Sequence, residues 1–226
     1  MKEIKVYLKP VTLLSIGSGV EEAVGSDIVQ IRTRTERGLV PYIPGSSVKG
    51  ALRSAVSRVA RNYGFESCGE TLPEYVKARH VEMLKEGKEC DVCYVFGQPG
   101  PSVSNMGKAV FSPFYPDGEV TVTSITRVRL EDSSLRAHEG ALYTAECIVP
   151  GQTFSGSIRI IARRNGDVRK TLQLLLLSLA SLRTDRIGRS GITDVRIELA
   201  DDLKALLDSK WRSLASDLEG WFWVDM

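Results

Sequence analysis

Three cysteines and one histidine have the chemistry and spacing of metal ligands. Cys90 and Cys93 form a Cys-x-x-Cys pair that can hold one metal ion from a single turn, and Cys68 and His80 lie upstream. Four such donors match the tetrahedral coordination that Zn²⁺ prefers, so they predict a structural zinc site. The alternative is a set of ordinary buried thiols with His80 on the surface. Cys147 lies in an apolar stretch and is expected to be a packing residue.

The stretch Pro41–Arg53 joins a proline- and glycine-containing turn to a basic helix. One of its two serines is predicted to cap a helix that runs to about Asn62. The N–H groups and partial positive charge of a helix start suit a phosphate group. An ordinary amphipathic helix with a solvated basic side is the alternative, and the Walker phosphate-loop order is absent. The residues predicted to contact phosphate are Gly45, Ser46, Ser47, Lys49 and Arg53.

A second basic stretch contains glycines near the C-terminal end of the chain. Arg183, Arg186 and Arg189 surround Gly188 and precede Gly191. Glycine lets a backbone approach a sugar-phosphate chain closely, and nearby arginines neutralise it. The pattern therefore predicts a second nucleic-acid contact.

Composition favours one elaborated domain rather than several. The chain has 226 residues, 42% of them hydrophobic, and a formal net charge of +2, so any basic surface must be local. Four cysteines do not make a disulfide framework at this length. The sequence shows neither an 18-residue apolar run nor a hydrophobic signal core after its first residues. We therefore expect a cytoplasmic protein that does not bind membranes.

Hydrophobic periodicity predicts an α+β fold. Residues 3–9 alternate as a strand, and residues 108–114 and 120–128 alternate around a Pro-Asp-Gly turn, which predicts a hairpin. Asp167 is predicted to cap an apolar helix that ends near Leu182. Other strands are expected at 142–149, 153–162 and 193–199, with helices over 73–86 and 203–218. With insertions set aside, the order is β-α-β-β-α-β, which is the ferredoxin-like arrangement.

The run from Tyr42 to Gly50, together with Arg53, resembles the signature of the RAMP superfamily (repeat-associated mysterious proteins), and specifically the backbone subunit of type III CRISPR–Cas effector complexes. Residues 25–53, 90–97 and 183–191 carry the resemblance. It implies one modified ferredoxin-like (RRM-like) domain over residues 1–226, with palm, zinc-region and thumb-hairpin insertions. These insertions are expected at roughly 11–40, 64–106 and 123–150.

The resemblance also implies a reaction. In such subunits, an aspartate ahead of the Pro-Gly-Ser-Ser motif is required to cut bound target RNA with the help of Mg²⁺ or Mn²⁺, and Asp27 stands at the matching distance. A loop aspartate that caps a turn is the alternative. In the thumb, Arg127 is expected to touch RNA phosphates, with Arg129 and Arg136 beside it. His138 is expected to be a solvated loop residue, because a lone histidine cannot support a two-histidine mechanism.

The sequence therefore favours a subunit that binds a guide RNA (crRNA) and cleaves complementary target RNA. Its expected partners are these two RNAs, other subunits of a type III effector complex, and further copies of itself along the guide. Two alternatives stay open. One is a non-catalytic RNA-binding scaffold subunit of the same complex, and the other is a stand-alone, zinc-containing RNA-processing protein.

Overall fold

The computed structural model describes residues 2–17, 27–36, 38–70, 73–98, 107–130, 137–162, 164–189 and 191–223. In chain order, the elements are β1 (Glu3–Pro10), β2 (Arg32–Thr35), β3 (Gly38–Pro41), α1 (Gly45–Val59), α2 (Pro73–Lys85), α3 (Asp91–Phe96), β4 (Ala109–Phe111), β5 (Tyr115–Pro116), β6 (Val122–Leu130), β7 (Ala137–Ile148), β8 (Phe154–Ile160), α4 (Asn165–Leu182), β9 (Arg186–Ile187), β10 (Gly191–Leu199), α5 (Asp201–Lys204) and α6 (Ser209–Leu218). A short 3₁₀ turn, Ala60–Tyr63, extends α1.

The main sheet is antiparallel and follows the order β4-β8-β1-β10-β9. In the central strand β1, Val6 lies opposite Ile197 on one side and Gly156 on the other. The predicted alternation places Ile4, Val6 and Leu8 on the buried face. The core series is β1-α1-β4-β8-α4-β10. If its four strands are numbered 1 to 4 in chain order, their spatial order in the sheet is 2-3-1-4. This mixed α+β architecture is compatible with the ferredoxin-like fold predicted from the sequence.

Two helices, α1 and α4, pack together over the buried face of the sheet. In α1 the buried residues Val48, Leu52 and Val56 recur at intervals of three or four. The run from Leu174 to Leu177 in α4 is buried, as predicted for a helix enclosed on nearly all sides. Because the core is closely packed, truncating a residue such as Leu172 to alanine would cost about 2–5 kcal/mol.

Two predicted helix caps are wrong, the one at Ser46 or Ser47 for α1 and the one at Asp167 for α4. α1 begins at Gly45, with Pro44 as the residue before it and without a side-chain cap. α4 begins at Asn165, so Asp167 lies in its first turn instead of preceding it. Pro44 has an extended backbone with a ψ of 137°, which lets the helix start directly after it.

The predicted hairpin between residues 108–114 and 120–128 is also wrong. β4 and β5 both pair with β8, whereas β6 leaves the main sheet and pairs with β7. Alternation shows which face of a strand is buried but does not identify its partner. Three further parts of the chain lie outside the main sheet, namely the β2–β3 pair, the α2–α3 region and the β6–β7 ribbon.

Candidate functional site

The four predicted metal ligands meet in the structure. The ligand atoms of Cys68, His80, Cys90 and Cys93 all lie within 4.8 Å of one another. The three thiols are buried, and Nε2 of His80 is buried with no hydrogen-bond partner among the described residues. Such a nitrogen is costly to leave unpaired, and a metal ion would satisfy it. The Sγ atoms of Cys68 and Cys93 are 3.8 Å apart. This separation matches the edge, about 3.8 Å, of a tetrahedron with metal–sulfur bonds of about 2.3 Å.

Local structure around α3 positions two of these thiols. Cys90 is the residue before α3, and its Sγ accepts a hydrogen bond from the backbone N–H of Cys93 at 3.4 Å. The same sulfur accepts one from the N–H of Cys68 at 3.2 Å. Cys90 is therefore the N-cap residue of α3, and its sulfur accepts the capping hydrogen bond from Cys93.

The protonation chemistry of the cluster fits a divalent cation. Hydrogen bonds from the thiols of Cys90 and Cys93 lower the pKa of Cys68. The hydrogen bond with Cys68 in turn raises the pKa of Cys90 and of Cys93. Three thiolates this close together would repel one another without a cation, because the negative charges are adjacent and buried. A divalent metal such as zinc would remove this repulsion and let all three sulfurs ionise.

The two helices that carry ligands of the cluster or flank them, α2 and α3, differ in how deeply they are buried. Val92, Val95 and Phe96 of α3 are buried in the main hydrophobic core. In contrast, α2, which carries His80, buries only Val76 and Met83 among its described side chains. A metal ion bound by His80 together with the three thiols would therefore tie α2 to the core-packed α3.

The basic side of α1 faces this metal region, although the sequence predicted it to be open to phosphate. Nη2 of Arg53 donates a hydrogen bond to Sγ of Cys93 at 3.3 Å. One turn further on, the hydroxyl of Ser67 donates to the carbonyl of Ser57 at 3.1 Å. Arg61 in turn donates to the carbonyl of Ser67 from Nε and Nη2 at 3.0 and 2.6 Å. Much of the predicted cationic face is therefore packed against the segment that carries Cys68.

At the start of α1, glycine is required by packing. A Cβ at Gly45 would lie 2.6 Å from the carbonyl oxygens of both Phe111 and Ser112, so only glycine fits. Ser46 is exposed, and Ser47 and Lys49 are partly exposed. Burial, followed by the charge of Arg53, lowers the pKa of Lys49.

The glycine-containing loop after α4 packs against the segment that follows β1. Gly188 has a φ of +65°, and a Cβ there would lie 2.4 Å from the carbonyl oxygen of Ser15. The N–H of Arg189 donates to that oxygen at 3.1 Å. A Cβ at Gly191 would lie 2.5 Å from the Leu14 side chain. Both glycines are therefore needed for the fold of the loop, and the side chains of Arg186 and Arg189 are exposed on it.

Arg183, which the sequence grouped with this loop, is buried and has a structural position. Its guanidinium donates to the carbonyl of Val195 from Nε at 2.9 Å and from Nη2 at 2.7 Å. It also donates to the carbonyls of Asp217 and Gly220 and pairs with Asp194 at 3.5 Å. Burial lowers the pKa of Arg183. This arginine fastens the C-terminal segment to β10.

Asp27 lies beside the β6–β7 ribbon. Its exposed side chain accepts a hydrogen bond at Oδ2 from the backbone N–H of Thr144 at 2.7 Å. The only group of three or more candidate metal ligands among the described residues is the Cys/His cluster, so Asp27 does not belong to such a group.

An ion pair that the sequence analysis missed lies next to Asp27. Arg32 Nη1 is 2.9 Å from Glu146 Oε2, which also accepts the N–H of Gln30 at 2.9 Å. The hydrogen bond from Arg32 lowers the pKa of Glu146. The two partners are more than 100 positions apart in the chain, and no local pattern marks them as a pair.

The remaining predicted RNA contacts belong to the ribbon. Arg127 lies in β6 opposite Tyr143 and is partly exposed. Arg129 and His138 lie in β6 and β7, but their side chains are outside the description, and Arg136 lies outside the described residues.

The fold and the cluster together define an α+β protein with a buried Cys₃His group of the kind that binds structural metals. The family model of the RAMP superfamily matches residues 7–192, and the chain belongs to that superfamily. No curated protein matches the chain. Within the described residues, none of the helices has the length and apolarity needed to cross a membrane.

Proposed function

We propose that this protein is a guide-RNA-binding backbone subunit of a type III CRISPR effector complex, in which it cleaves target RNA paired to the guide. The observation that carries the proposal is membership of the RAMP superfamily over residues 7–192, since type III effectors are the usual setting of that superfamily. The exposed arginines of the glycine-containing loop support it independently.

The guide is proposed to contact two basic elements, the start of α1 and the loop around β9. Arg186 and Arg189 supply charge from the loop around β9, and Lys49 with the serines Ser46 and Ser47 supplies donors at the start of α1. β9 contacts α1, and an ion pair joins Asp185, the residue before β9, to Arg58 in the last turn of α1. Contacts of this kind grip phosphates without reading bases, so base pairing with the guide would provide sequence recognition.

Cleavage is proposed to depend on Asp27. The Thr144 hydrogen bond uses one carboxylate oxygen, and the side chain remains exposed. In the proposed step, Asp27 orients the 2′-hydroxyl of the target, which forms a bond to the adjacent phosphorus while the bond to the 5′-oxygen breaks. The 2′-hydroxyl proton passes to solvent water, and the leaving 5′-oxygen takes a proton from water, giving a 2′,3′-cyclic phosphate and a 5′-hydroxyl. Asp27 would hold Mg²⁺ or Mn²⁺, which would supply positive charge to neutralise the phosphate.

The Cys₃His cluster is proposed to hold one structural Zn²⁺. Four protein ligands would fill a tetrahedral site and leave no open position for a substrate. The metal would therefore stabilise the region between α1 and α3 without taking part in cleavage.

A binding-only subunit of the same complex is the second candidate function. It is favoured by the position of Asp27 outside any described group of metal ligands, because a single carboxylate gives a weak metal site. In this case, Asp27 would only hold its segment against β7.

The test is to purify the complex from its native host, sequence the RNA that copurifies, and add labelled complementary or scrambled RNA with Mg²⁺ or a chelator. We expect guide RNA in the complex and Mg²⁺-dependent cutting of complementary RNA only. Bound guide without cutting would support the binding-only subunit. Cutting of precursor RNA by the isolated protein without a guide would instead show a stand-alone processing enzyme.

A further inference from the structure

The contact between Arg53 and Cys93 joins helix α1 to the Cys₃His cluster. Nη2 of Arg53 lies 3.3 Å from the Cys93 sulfur, and Nε of the same guanidinium is buried with no hydrogen-bond partner among the described residues. A guanidinium in this position has given up much of its hydration. Its observed polar partner is the thiol, so the charge of the thiol decides how favourable the contact is.

The charge of a filled site would require such a cation. One divalent metal, three thiolates and a neutral imidazole sum to a net charge of −1, and the sulfurs are buried. A negative group in a poorly hydrated site is costly unless a positive group lies close by. Arg53 is the described cation seen to donate directly to one of these sulfurs.

Other cations near the cluster already have partners. Lys170 forms an ion pair with Asp91, which lies between the two cysteines of the Cys-x-x-Cys pair. Arg61 donates from two nitrogens to the carbonyl of Ser67. The structure therefore offers Arg53 as the compensating charge, whereas Lys170 is paired with the Asp91 carboxylate and Arg61 with the Ser67 carbonyl.

We infer that Arg53 is a positioning residue of the metal site, which holds the Cys93 thiolate and balances the charge of the filled cluster, and that it is not a phosphate contact. The inference rests on the metal site of the proposed function. Its consequence is that the metal site is coupled through Arg53 to α1, the helix whose first turn is proposed to hold the guide. Outer-shell partners of this kind typically change metal affinity by about 10–100-fold.

The test compares Arg53→Met with Lys49→Met, which removes a charge one turn away on the same helix. Zn²⁺ and Co²⁺ affinities of the full chain are measured by competition with a coloured chelator, and the Co²⁺ complex is recorded by absorption spectroscopy. We expect Arg53→Met to weaken both affinities about 10–100-fold and to shift the sulfur-to-cobalt band. Lys49→Met should leave both unchanged, and Arg53→Lys should restore part of the affinity, because lysine keeps the charge but loses the planar fork.

A second pair of variants separates this role from loss of folding. In a Cys93→Ser background the sulfur contact is absent, so adding Arg53→Met should weaken metal binding less than it does in the wild type. Equal losses in both backgrounds would overturn the inference. Unchanged metal affinity in Arg53→Met, with a flatter salt dependence of RNA binding, would overturn it in favour of a phosphate contact. A wild-type chain that binds neither metal would instead refute the proposed metal site.

Discussion

The backbone N–H of Thr144 donates a hydrogen bond of 2.7 Å to Oδ2 of Asp27 and ties this carboxylate to strand β7. The next residue, Ile28, continues the contact. Its N–H donates to the carbonyl of Thr144 at 3.0 Å, and the carbonyl of Ile28 accepts the N–H of Glu146 at 2.9 Å. Asp27 is thus held against the strand at this point.

Replacing Asp27 by asparagine should abolish target cleavage while leaving guide binding unchanged. Asparagine can still accept the Thr144 hydrogen bond but cannot supply a negative charge to an ion or a hydroxyl. Asp27→Ala should lose cleavage as well, together with roughly 0.5–1.5 kcal/mol of unfolding free energy from the missing hydrogen bond. Gel analysis of labelled target and a urea titration measure these effects. Cutting by the Asp27→Asn complex at the wild-type rate would place the chemistry elsewhere.

The Arg32–Glu146 pair should make stability depend on pH. Its hydrogen bond lowers the pKa of Glu146 below the ordinary value of 4.5. The folded state then binds this proton less readily than the unfolded state, so the contribution is present above about pH 4.5 and is lost as the pH falls through the folded pKa. We expect wild type to melt above Glu146→Gln at pH 7 and the difference to shrink at lower pH. The exposed Glu119→Gln serves as the control, and a pH-independent difference would contradict the prediction.

Elemental analysis should find about one Zn²⁺ per chain, and Cys93→Ser should lower this content. Stripping the metal should lower the melting temperature and increase hydrogen exchange in α2 more than in α4, because α2 has few buried side chains of its own. Cys147→Ser is the matched control, since Cys147 lies in β7 outside the cluster. A metal-free chain with the same melting temperature and the same α2 exchange would rule out a structural metal.

Guide affinity should fall steeply with salt concentration and vary little with RNA sequence. Each of Lys49→Gln, Arg186→Gln and Arg189→Gln should flatten the slope of log affinity against log salt by about 0.7, the value for one phosphate of a single strand. Arg79→Gln, an exposed change in α2 where Arg79 pairs with Glu82, should leave the slope unchanged. If Lys49→Gln, Arg186→Gln and Arg189→Gln gave the same slope as wild type and Arg79→Gln, the start of α1 and the loop around β9 would not contact the guide.

Arg183→Met should destabilise the fold. In the protein that remains folded, the salt dependence of guide-RNA affinity should be unchanged. The substitution leaves Asp194 and several carbonyls without their buried partner, and such losses typically cost about 3–5 kcal/mol. Denaturant unfolding measures the free energy, and fluorescence of Trp221 and Trp223 reports release of the C-terminal segment. A stability equal to that of wild type would contradict the structural role of Arg183.

The sequence determined the main elements of the fold because each is encoded locally. The alternation in β1 and the apolar run in α4 set which sides are buried, and the Cys-x-x-Cys pair identified two metal-type ligands that do meet Cys68 and His80. The family resemblance, carried by the run Tyr42–Gly50, agrees with the superfamily match over residues 7–192.

The tertiary structure decided which partner each helix, strand and basic side chain contacts. The sequence assigned both Arg53 and Arg183 to nucleic-acid contacts, yet Arg53 points toward a sulfur and Arg183 toward buried carbonyls. The pairing of β6 with β7, and of Arg32 with Glu146, likewise joins residues that share no local signal. Helical and strand periods repeat over a few residues, whereas these contacts depend on how distant segments pack, so the sequence pattern gave the surfaces of the elements but not their partners.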